Sequence, residues 1–219
     1  NNLVHDINYR QYGVTFVENH DTEYRSSTSQ QDPIRRDTLA ANAYLLAMPG
    51  TPCVFYKHYL AYPAEIKAMI EARKVADVKN TSEYTNYRST AAYYANVVTG
   101  TKGNLLVAVG SGFPEPSPYY YIKILSGYHY AYYLTPSTEV AFADKPSGDY
   151  FTSFSTTLTA VSATAGAQLV YTTDGTAPTA THGTVVASGT KVDITTTTTL
   201  NVGLLVNGIV TNTITRNFN

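Results

Sequence analysis

Short apolar runs alternate with amphipathic segments over the first third of the chain. The runs Val14–Glu18 and Thr51–Tyr56 are typical of short buried strands. A helix predicted over about Pro33–Met48 separates them, and a second predicted helix begins at Pro63. Strands that are apolar almost throughout, each followed by a helix, predict parallel pairing in an α/β fold.

The pattern changes near Asp77. Beyond it come four short β-type runs separated by Gly, Pro or Ser, which are AAYYANVV, NLLVAVG, YYYIKIL and YHYAYYL. Runs of this kind predict an antiparallel meander or Greek key. The stretch ADKPSGDY, Ala143–Tyr150, has the composition of a linker.

The last third is rich in Thr, Ala, Val and Gly and almost free of charge. Alternate apolar positions from Leu200 to Val206 run into Asn207-Gly208, a strong hairpin signal. A second turn is predicted at Asp174-Gly175, and the Thr run that begins at Thr195 favours strand. These features predict a small β-sandwich.

Composition narrows the range of ligands. The 219 residues carry 15 basic and 16 acidic side chains and a formal net charge of −1, which makes nucleic acid a poor partner. The chain has 20 Tyr and no Trp, a balance that suits neutral, hydrogen-bonding ligands such as sugars. Cys53 is the single cysteine, so no intrachain disulfide forms, and its apolar surroundings predict a small core residue. The sequence contains no apolar run of about eighteen residues, so it predicts no membrane-spanning helix.

A polar cluster, Asn19, His20 and Asp21, follows the first predicted strand directly. In a parallel α/β barrel, residues at the carboxyl end of a strand face the active site. A histidine can donate to a sugar hydroxyl, and a carboxylate can accept from two vicinal hydroxyls while facing a developing oxocarbenium ion. The alternative is a His–Asp pair that caps or braces a loop, and spacing alone does not separate the two.

Four segments carry a resemblance to a known family. FVENHDT, Phe16–Thr22, resembles the fourth signature region of the α-amylases of glycoside hydrolase family 13, with Glu18 in place of the more usual aspartate. Ala43–Tyr59 resembles the last helix-to-strand passage of the α-amylase barrel, and Glu65–Lys74 resembles the helix that leads out of it. Ser82–Gly110 is similar to the start of domain C, the antiparallel sheet behind the barrel.

The resemblance implies a multidomain fold. Residues 1–76 would carry the last two βα units of a (β/α)8 TIM barrel, and residues 77–145 an antiparallel β-sheet domain C. Gly166–Thr179, GAQLVYTTDGTAPT, is similar to the chitobiase C-terminal-like module, which implies an immunoglobulin-like β-sandwich over residues 146–219. For this module we expect either a spacer role or starch binding through exposed tyrosines such as Tyr171.

The family's roles are carried over to matching residues only. Asp21 matches the third catalytic carboxylate, which holds the hydroxyls of the glucose being cleaved, and His20 matches the histidine that hydrogen-bonds the same sugar. Asn19 is expected to be a brace, and Glu18 to belong to the strand rather than to the chemistry. The family's nucleophilic aspartate and acid/base glutamate belong to earlier strands, so we expect them upstream and expect this fragment alone to be inactive.

The implied function is that of a C-terminal fragment of an α-amylase-type hydrolase. Its parent would cleave internal α-1,4-glucosidic bonds of starch, glycogen or maltooligosaccharides with retention, outside the cell or in the periplasm, after export by an upstream signal. Structural calcium, which many family members bind, would be held by the parent, and no metal or other cofactor is expected here. Glucosyl transfer stays open as the reaction, and the alternative function is a non-catalytic carbohydrate-binding or structural β-module protein.

Three further expectations concern packing. His58 is expected to make a structural hydrogen bond, the alternative being a place at the pocket rim. The runs Tyr119–Tyr121 and Tyr128–Tyr133 are expected to pack domain C on the barrel, with a secondary surface sugar site as the alternative. Two barrel strands without their neighbours would expose apolar faces and edges, so this part should dimerise, pack differently or be the least stable region.

Overall fold

The computed structural model of the chain describes residues 6–28, 34 and 36–219. These residues fall into two compact units. The first comprises the described residues up to Glu115 together with Leu125–Tyr133, and the second comprises Pro116–Ile124 with Leu134–Asn219. The start predicted for the first helix at Pro33 lies outside the described residues.

The first unit opens with a small parallel pair of strands. β1 (Val14–Thr15) and β2 (Thr51–Pro52) are hydrogen-bonded in parallel, as the sequence pattern predicts, but each has only two residues. The longer strands predicted over Val14–Glu18 and Thr51–Tyr56 are therefore wrong in extent. A two-stranded sheet lacks flanking strands that would stabilise longer pairing.

Burial in this pair also differs from the prediction. Val14 is 64% exposed and Phe16 54%, and Cys53 is exposed rather than a core residue. A two-stranded ribbon leaves its faces and outer edges open, so apolar residues in it stay in contact with solvent.

Three helices accompany the pair: α1 (Thr38–Ala47), α2 (Tyr56–Ala61) and α3 (Pro63–Ala76). The start predicted at Pro63 is confirmed, since proline at the first helical position needs no N–H partner. α1 and α3 pack on each other through small and aliphatic side chains.

A five-stranded sheet follows, in the order β3–β4–β5–β7–β6, with β3–β4 and β4–β5 antiparallel. Its strands are β3 (Tyr84–Ser89), β4 (Tyr93–Thr99), β5 (Asn104–Gly110), β6 (Ile122–Gly127) and β7 (Tyr130–Leu134). A strand occurs at each of the four runs predicted beyond Asp77. A simple meander is excluded, because β7 lies between β5 and β6.

The second unit holds two further sheets, in the orders β12–β9–β8 and β11–β10–β13–β14. The strands are β8 (Val140–Ala143), β9 (Phe154–Val161), β10 (Gln168–Thr172), β11 (Thr184–Val186), β12 (Thr190–Ile194), β13 (Thr198–Val206) and β14 (Ile209–Phe218). Both sheets contribute to one hydrophobic core, in which Leu158 and Leu200 are fully buried. The predicted hairpin is confirmed: Asn207 (φ 50°) and Gly208 (φ 77°) join β13 to β14.

The stretch predicted as a linker is bound to this unit. The Asp144 carboxylate accepts from the Thr157 N–H at 2.7 Å, and the Tyr150 N–H donates to the Asn219 carbonyl at 3.0 Å. β8 pairs with β9 as well, although it precedes the domain boundary predicted at residue 145. These hydrogen bonds hold the segment in place, although its composition is typical of a mobile linker. In the described part of the chain, no helix has the length and apolarity that crossing a membrane requires.

Candidate functional site

The polar cluster lies in a turn that begins at Asn19, four positions after the end of β1. The Asn19 carbonyl accepts the N–H groups of Thr22 (3.2 Å) and Glu23 (3.0 Å). The Asn19 side-chain oxygen accepts the N–H of Asp21 at 2.8 Å and that of Thr22 at 3.2 Å. Asn19 is thus the brace that the sequence predicts, because one side chain satisfies the amides that open the turn.

This turn presents His20 and Asp21 side by side. His20 Nε2 is 3.5 Å from Asp21 Oδ1, and the two side chains are 77% and 73% exposed. An ion pair this exposed contributes little to stability, so the turn does not depend on it. The pair offers a ring nitrogen and a carboxylate to an approaching hydroxylated ligand, while the roles assigned to these two residues stay predictions.

Directly before the turn lies a buried polar network. Glu18 is 7% exposed, and its Oε2 lies 2.7 Å from Nε2 of His58, which is also 7% exposed. The other carboxylate oxygen accepts the Ile34 N–H at 2.8 Å. His58 Nδ1 lies 3.0 Å from the Asn42 side-chain nitrogen, which also donates to the Thr38 carbonyl at 2.8 Å.

The network defines the protonation of His58. The Asn42 amide nitrogen faces two acceptors, the Thr38 carbonyl and Nδ1 of the imidazole, so Nδ1 carries no proton. The remaining ring proton is then on Nε2, which donates to Glu18. His58 therefore makes the structural hydrogen bond expected of it. Each carboxylate oxygen of Glu18 thus accepts one hydrogen bond, but Glu18 lies three residues beyond the end of β1, not in the strand as expected.

Sequence reasoning named Glu18 and His58 but did not connect them, and it missed Asn42. A signal for the network was present, because each of the three lies within or beside an apolar run. A polar side chain buried at such a position requires a partner. The partners themselves could not be predicted, because Asn42 and His58 are 16 residues apart in the sequence and Glu18 and His58 are 40 apart.

The tyrosine runs divide between core and surface. Tyr132 is fully buried, its hydroxyl donates to the Ala43 carbonyl of α1, and burial raises its pKa well above the usual value. Burial also raises the pKa of Tyr130, to about 12. Tyr119 and Tyr128 are 80% and 65% exposed. Tyr132 thus joins the five-stranded sheet to α1, while the packing of a domain C on a barrel stays a prediction.

Among the described residues, no group of three or more His, Cys, Asp or Glu side chains is placed to hold a metal ion. Tyr171, the tyrosine expected to be exposed for starch binding, is half-buried and packs against the core of the second unit.

Comparison with known proteins gives three informative relatives. A glucan 1,4-alpha-maltotetraohydrolase of Roseateles saccharophilus is 32% identical over 120 residues, which are 51% of this chain and 21% of that protein. A probable alpha-amylase 2 of Arabidopsis thaliana is 32% identical over 123 residues, 54% of this chain and 28% of the relative. An alpha-amylase type B isozyme of Hordeum vulgare is 33% identical over 90 residues, 40% of this chain and 57% of the relative.

The chain thus spans about a fifth of the length of the first of these curated relatives. No protein-family model matches the chain. Among solved structures, a Gamma-CGTase from alkalophilic Bacillus clarkii superimposes with a TM-score of 0.41 and 13% identity, over 97% of this chain and 40% of that one. The resemblance to α-amylases stated from the sequence motifs is confirmed by the curated relatives for about half of the chain.

Proposed function

With the α-amylase relationship of about half of the chain as premise, we propose that the protein is the C-terminal portion of an α-amylase-type glycoside hydrolase. The parent cleaves internal α-1,4-glucosidic bonds of starch-like glucans and retains the configuration at the anomeric carbon. The observation that carries this proposal is the turn after β1, which presents His20 and Asp21 next to each other and open to solvent.

The chemistry of the pair suits the sugar at the cleavage point. Asp21, whose side chain is 73% exposed beside His20, accepts hydrogen bonds from vicinal hydroxyls. As the ring flattens toward an oxocarbenium ion, the carboxylate charge stabilises the positive charge that develops. His20 donates to a hydroxyl of the same sugar. Glu18 takes no part, because its buried carboxylate accepts hydrogen bonds from His58 and from the Ile34 N–H.

The first test of this proposal is an Asp21→Asn substitution in the full-length protein. Loss of the charge removes transition-state stabilisation, and we expect kcat on starch to fall by about 10²–10³-fold or more. Release of reducing ends measures it. The matched control is Asp193→Asn, an exposed carboxylate of β12, which should leave kcat unchanged.

The outcome is interpretable because Asp21 is exposed. Its replacement removes no buried contact, so the thermal unfolding midpoint should not move. Full activity in the Asn variant would refute the proposed role. The upstream sequence gives an independent test. An aspartate and a glutamate at the ends of earlier barrel strands would support the hydrolase proposal. Absence of either would favour the carbohydrate-binding alternative.

The finer organisation is part of the same proposal. Residues 1–76 are assigned to the end of a (β/α)8 barrel, in keeping with the parallel β1–β2 pair and the helices that follow. The antiparallel sheet is assigned to domain C and the second unit to an immunoglobulin-like module, with a boundary between them near residue 145. Dimerisation through the exposed residues of β1, and an extracellular or periplasmic location, stay predictions.

The alternative function, a carbohydrate-binding β-module protein, has one specific observation in its favour. A cavity of about 550 Å³ opens at one end of the second unit and is lined by aromatic and hydroxyl side chains. Binding and hydrolysis are compatible in one protein, so this cavity is considered separately.

A further inference from the structure

We propose that this cavity, here called the end pocket, is a binding site for a neutral sugar chain. Its lining residues are Tyr150, Phe151, Thr152, Ser153, Phe154, Ile194, Thr195, Thr196, Thr197, Phe218 and Asn219. The assignment to a sugar chain comes from the pocket's own chemistry. The choice of an α-1,4-glucan among sugar chains rests on the proposed function.

Strand pairing brings three distant segments together here. In the antiparallel β12–β9 pair, Ile194 lies opposite Phe154, so the residues after Ile194 and those before Phe154 leave the sheet at the same end. A bridge between Gly148 and Phe218 adds the end of β14 to this place. The pocket is therefore built on the ends of rigid strands.

The floor of the pocket is an aromatic cluster. Tyr150 and Phe154 stack with ring centroids 4.1 Å apart and planes at 25°. Phe218, only 1% exposed, meets both rings edge-on at 5.7 and 5.1 Å. Because these rings hold each other in position, they form a preorganised apolar base for the pocket.

Phe151 adds an aromatic side chain that is open to solvent. It is 99% exposed, the highest value among the large exposed apolar residues of the described chain. Phe151 follows Tyr150 directly and lines the same pocket. An apolar ring held in solvent beside a preformed cavity is a ready contact for a ligand, since its burial on binding is favourable.

The side chains at the rim of the pocket are polar and uncharged, and a neighbouring carboxylate, that of Asp149, accepts a hydrogen bond from the Asn219 amide at 3.1 Å. Five hydroxyl side chains and one amide line it: Thr152, Ser153, Thr195, Thr196, Thr197 and Asn219. None of the eleven lining side chains, all within the described part of the chain, carries a formal charge. Hydroxyls and amides can donate to and accept from sugar hydroxyls. A charged ligand would find no counter-charge on these side chains, so a neutral polyhydroxylated ligand fits best.

The test measures binding by the whole 219-residue chain. Native gel electrophoresis through amylopectin reports retardation, and calorimetry with maltoheptaose gives a Kd. We expect retardation of the wild type, and a Kd about tenfold weaker for Phe151→Ala, since one aromatic contact is lost. Phe151→Tyr, which keeps the ring, should retain binding. Thr196→Val, which removes one rim hydroxyl at nearly constant shape, should weaken it.

Two controls separate this site from the others. Ile209→Ala removes a 64% exposed apolar side chain at the β13–β14 turn and should bind as wild type. Lys74→Ala, an exposed change in the first unit away from the residues proposed to contact glucan, should also bind as wild type. The assay has no hydrolysis step, so a failure of the hydrolase proposal leaves this test valid. Thermal unfolding confirms that each variant is folded, which is expected for Phe151→Ala because its ring is almost entirely exposed.

Three results would overturn the inference. One is a wild-type chain that neither slows in amylopectin nor binds maltoheptaose, and another is Phe151→Ala binding unchanged. The third is tighter binding of cellohexaose, a β-1,4-glucan, than of maltoheptaose, which would overturn the α-glucan assignment.

Discussion

At the scale of single residues, polar side chains in apolar surroundings carry most of the information about the first unit. Glu18 and Asp21 are carboxylates three positions apart with opposite environments. Glu18 is buried and accepts two N–H groups, whereas Asp21 projects into solvent. The difference in exposure comes from the turn at Asn19, which lies between the two residues and accepts the Asp21 N–H. One carboxylate therefore serves the structure and the other is available for a ligand.

This contrast leads to a stability prediction. Glu18→Ala leaves the N–H groups of His58 and Ile34 without their acceptor, and a buried group so left, as at His58, costs about 1–3 kcal/mol. We expect the free energy of unfolding in urea to fall accordingly. Glu18→Gln should lose less, because the amide keeps one acceptor oxygen.

The matched control is Asp21→Asn, for which no change in unfolding free energy is expected. Equal stability of Glu18→Ala and Asp21→Asn would contradict the assignment of Glu18 to a buried structural network.

At the scale of elements, a side chain of one helix caps another. Arg73 of α3 donates to the carbonyls of Leu46 (2.8 Å), Met48 (2.6 Å) and Gly50 (3.2 Å), where α1 ends. Burial lowers the pKa of Arg73 from its usual value. A basic residue in the last turn of a helix, such as Arg73 in α3, ordinarily interacts with the C-terminal end of its own helix. In the structure its guanidinium instead satisfies carbonyl groups that α1 leaves unpaired.

Arg73→Lys tests this cap. An ammonium group cannot reproduce the planar fork that reaches three carbonyls, so a loss of about 1–3 kcal/mol is expected in the free energy of unfolding. Chemical denaturation followed by circular dichroism measures it. The neighbouring Lys74→Ala, which removes only a surface contact to Glu71, should stay within about 0.5 kcal/mol of wild type. An Arg73→Lys variant as stable as wild type would show that these three hydrogen bonds contribute nothing to the free energy of unfolding.

At the scale of the whole molecule, buried phenols limit the alkaline stability of the first unit. The pKa of Tyr130 is raised to about 12, first by burial and then by the charge of Glu65, and burial raises the pKa of Tyr132 well above its usual value. A raised pKa in the folded state means that folding favours the neutral phenol. This stabilisation is complete below about pH 10 and is lost as the pH rises through the folded-state values.

We therefore expect cooperative alkaline unfolding that accompanies ionisation of buried tyrosines. Tyrosinate absorbance should rise in two phases above about pH 10, the second coinciding with loss of the circular dichroism signal. Tyr132→Phe should move the second phase to higher pH, while lowering stability at neutral pH through loss of the hydrogen bond to Ala43. Tyr119→Phe, a change at an 80% exposed ring, serves as control. A single phase with no loss of structure would argue against this coupling.

Local chemistry made a large part of the fold predictable. Proline at Pro63 marks a helix start, Asn207-Gly208 marks a two-residue hairpin, and NLLVAVG is β5 itself. The FVENHDT motif likewise carries the resemblance to α-amylases, which the curated relatives support for about half of the chain. In each case the physical cause, whether a fixed φ, a positive φ or an alternating apolar face, acts within a few neighbouring residues.

Other features depended on contacts between residues far apart. The length and exposure of β1, the exposure of Cys53 and the insertion of β7 between β5 and β6 are decided by which strands are available as neighbours. The same holds for the partnership of Glu18 with His58, and for the end pocket, which needs three separate segments. Sequence alone therefore determined the elements and the family motif. Only the tertiary structure decided what each element covers, because burial is a property of the neighbours a residue acquires on folding.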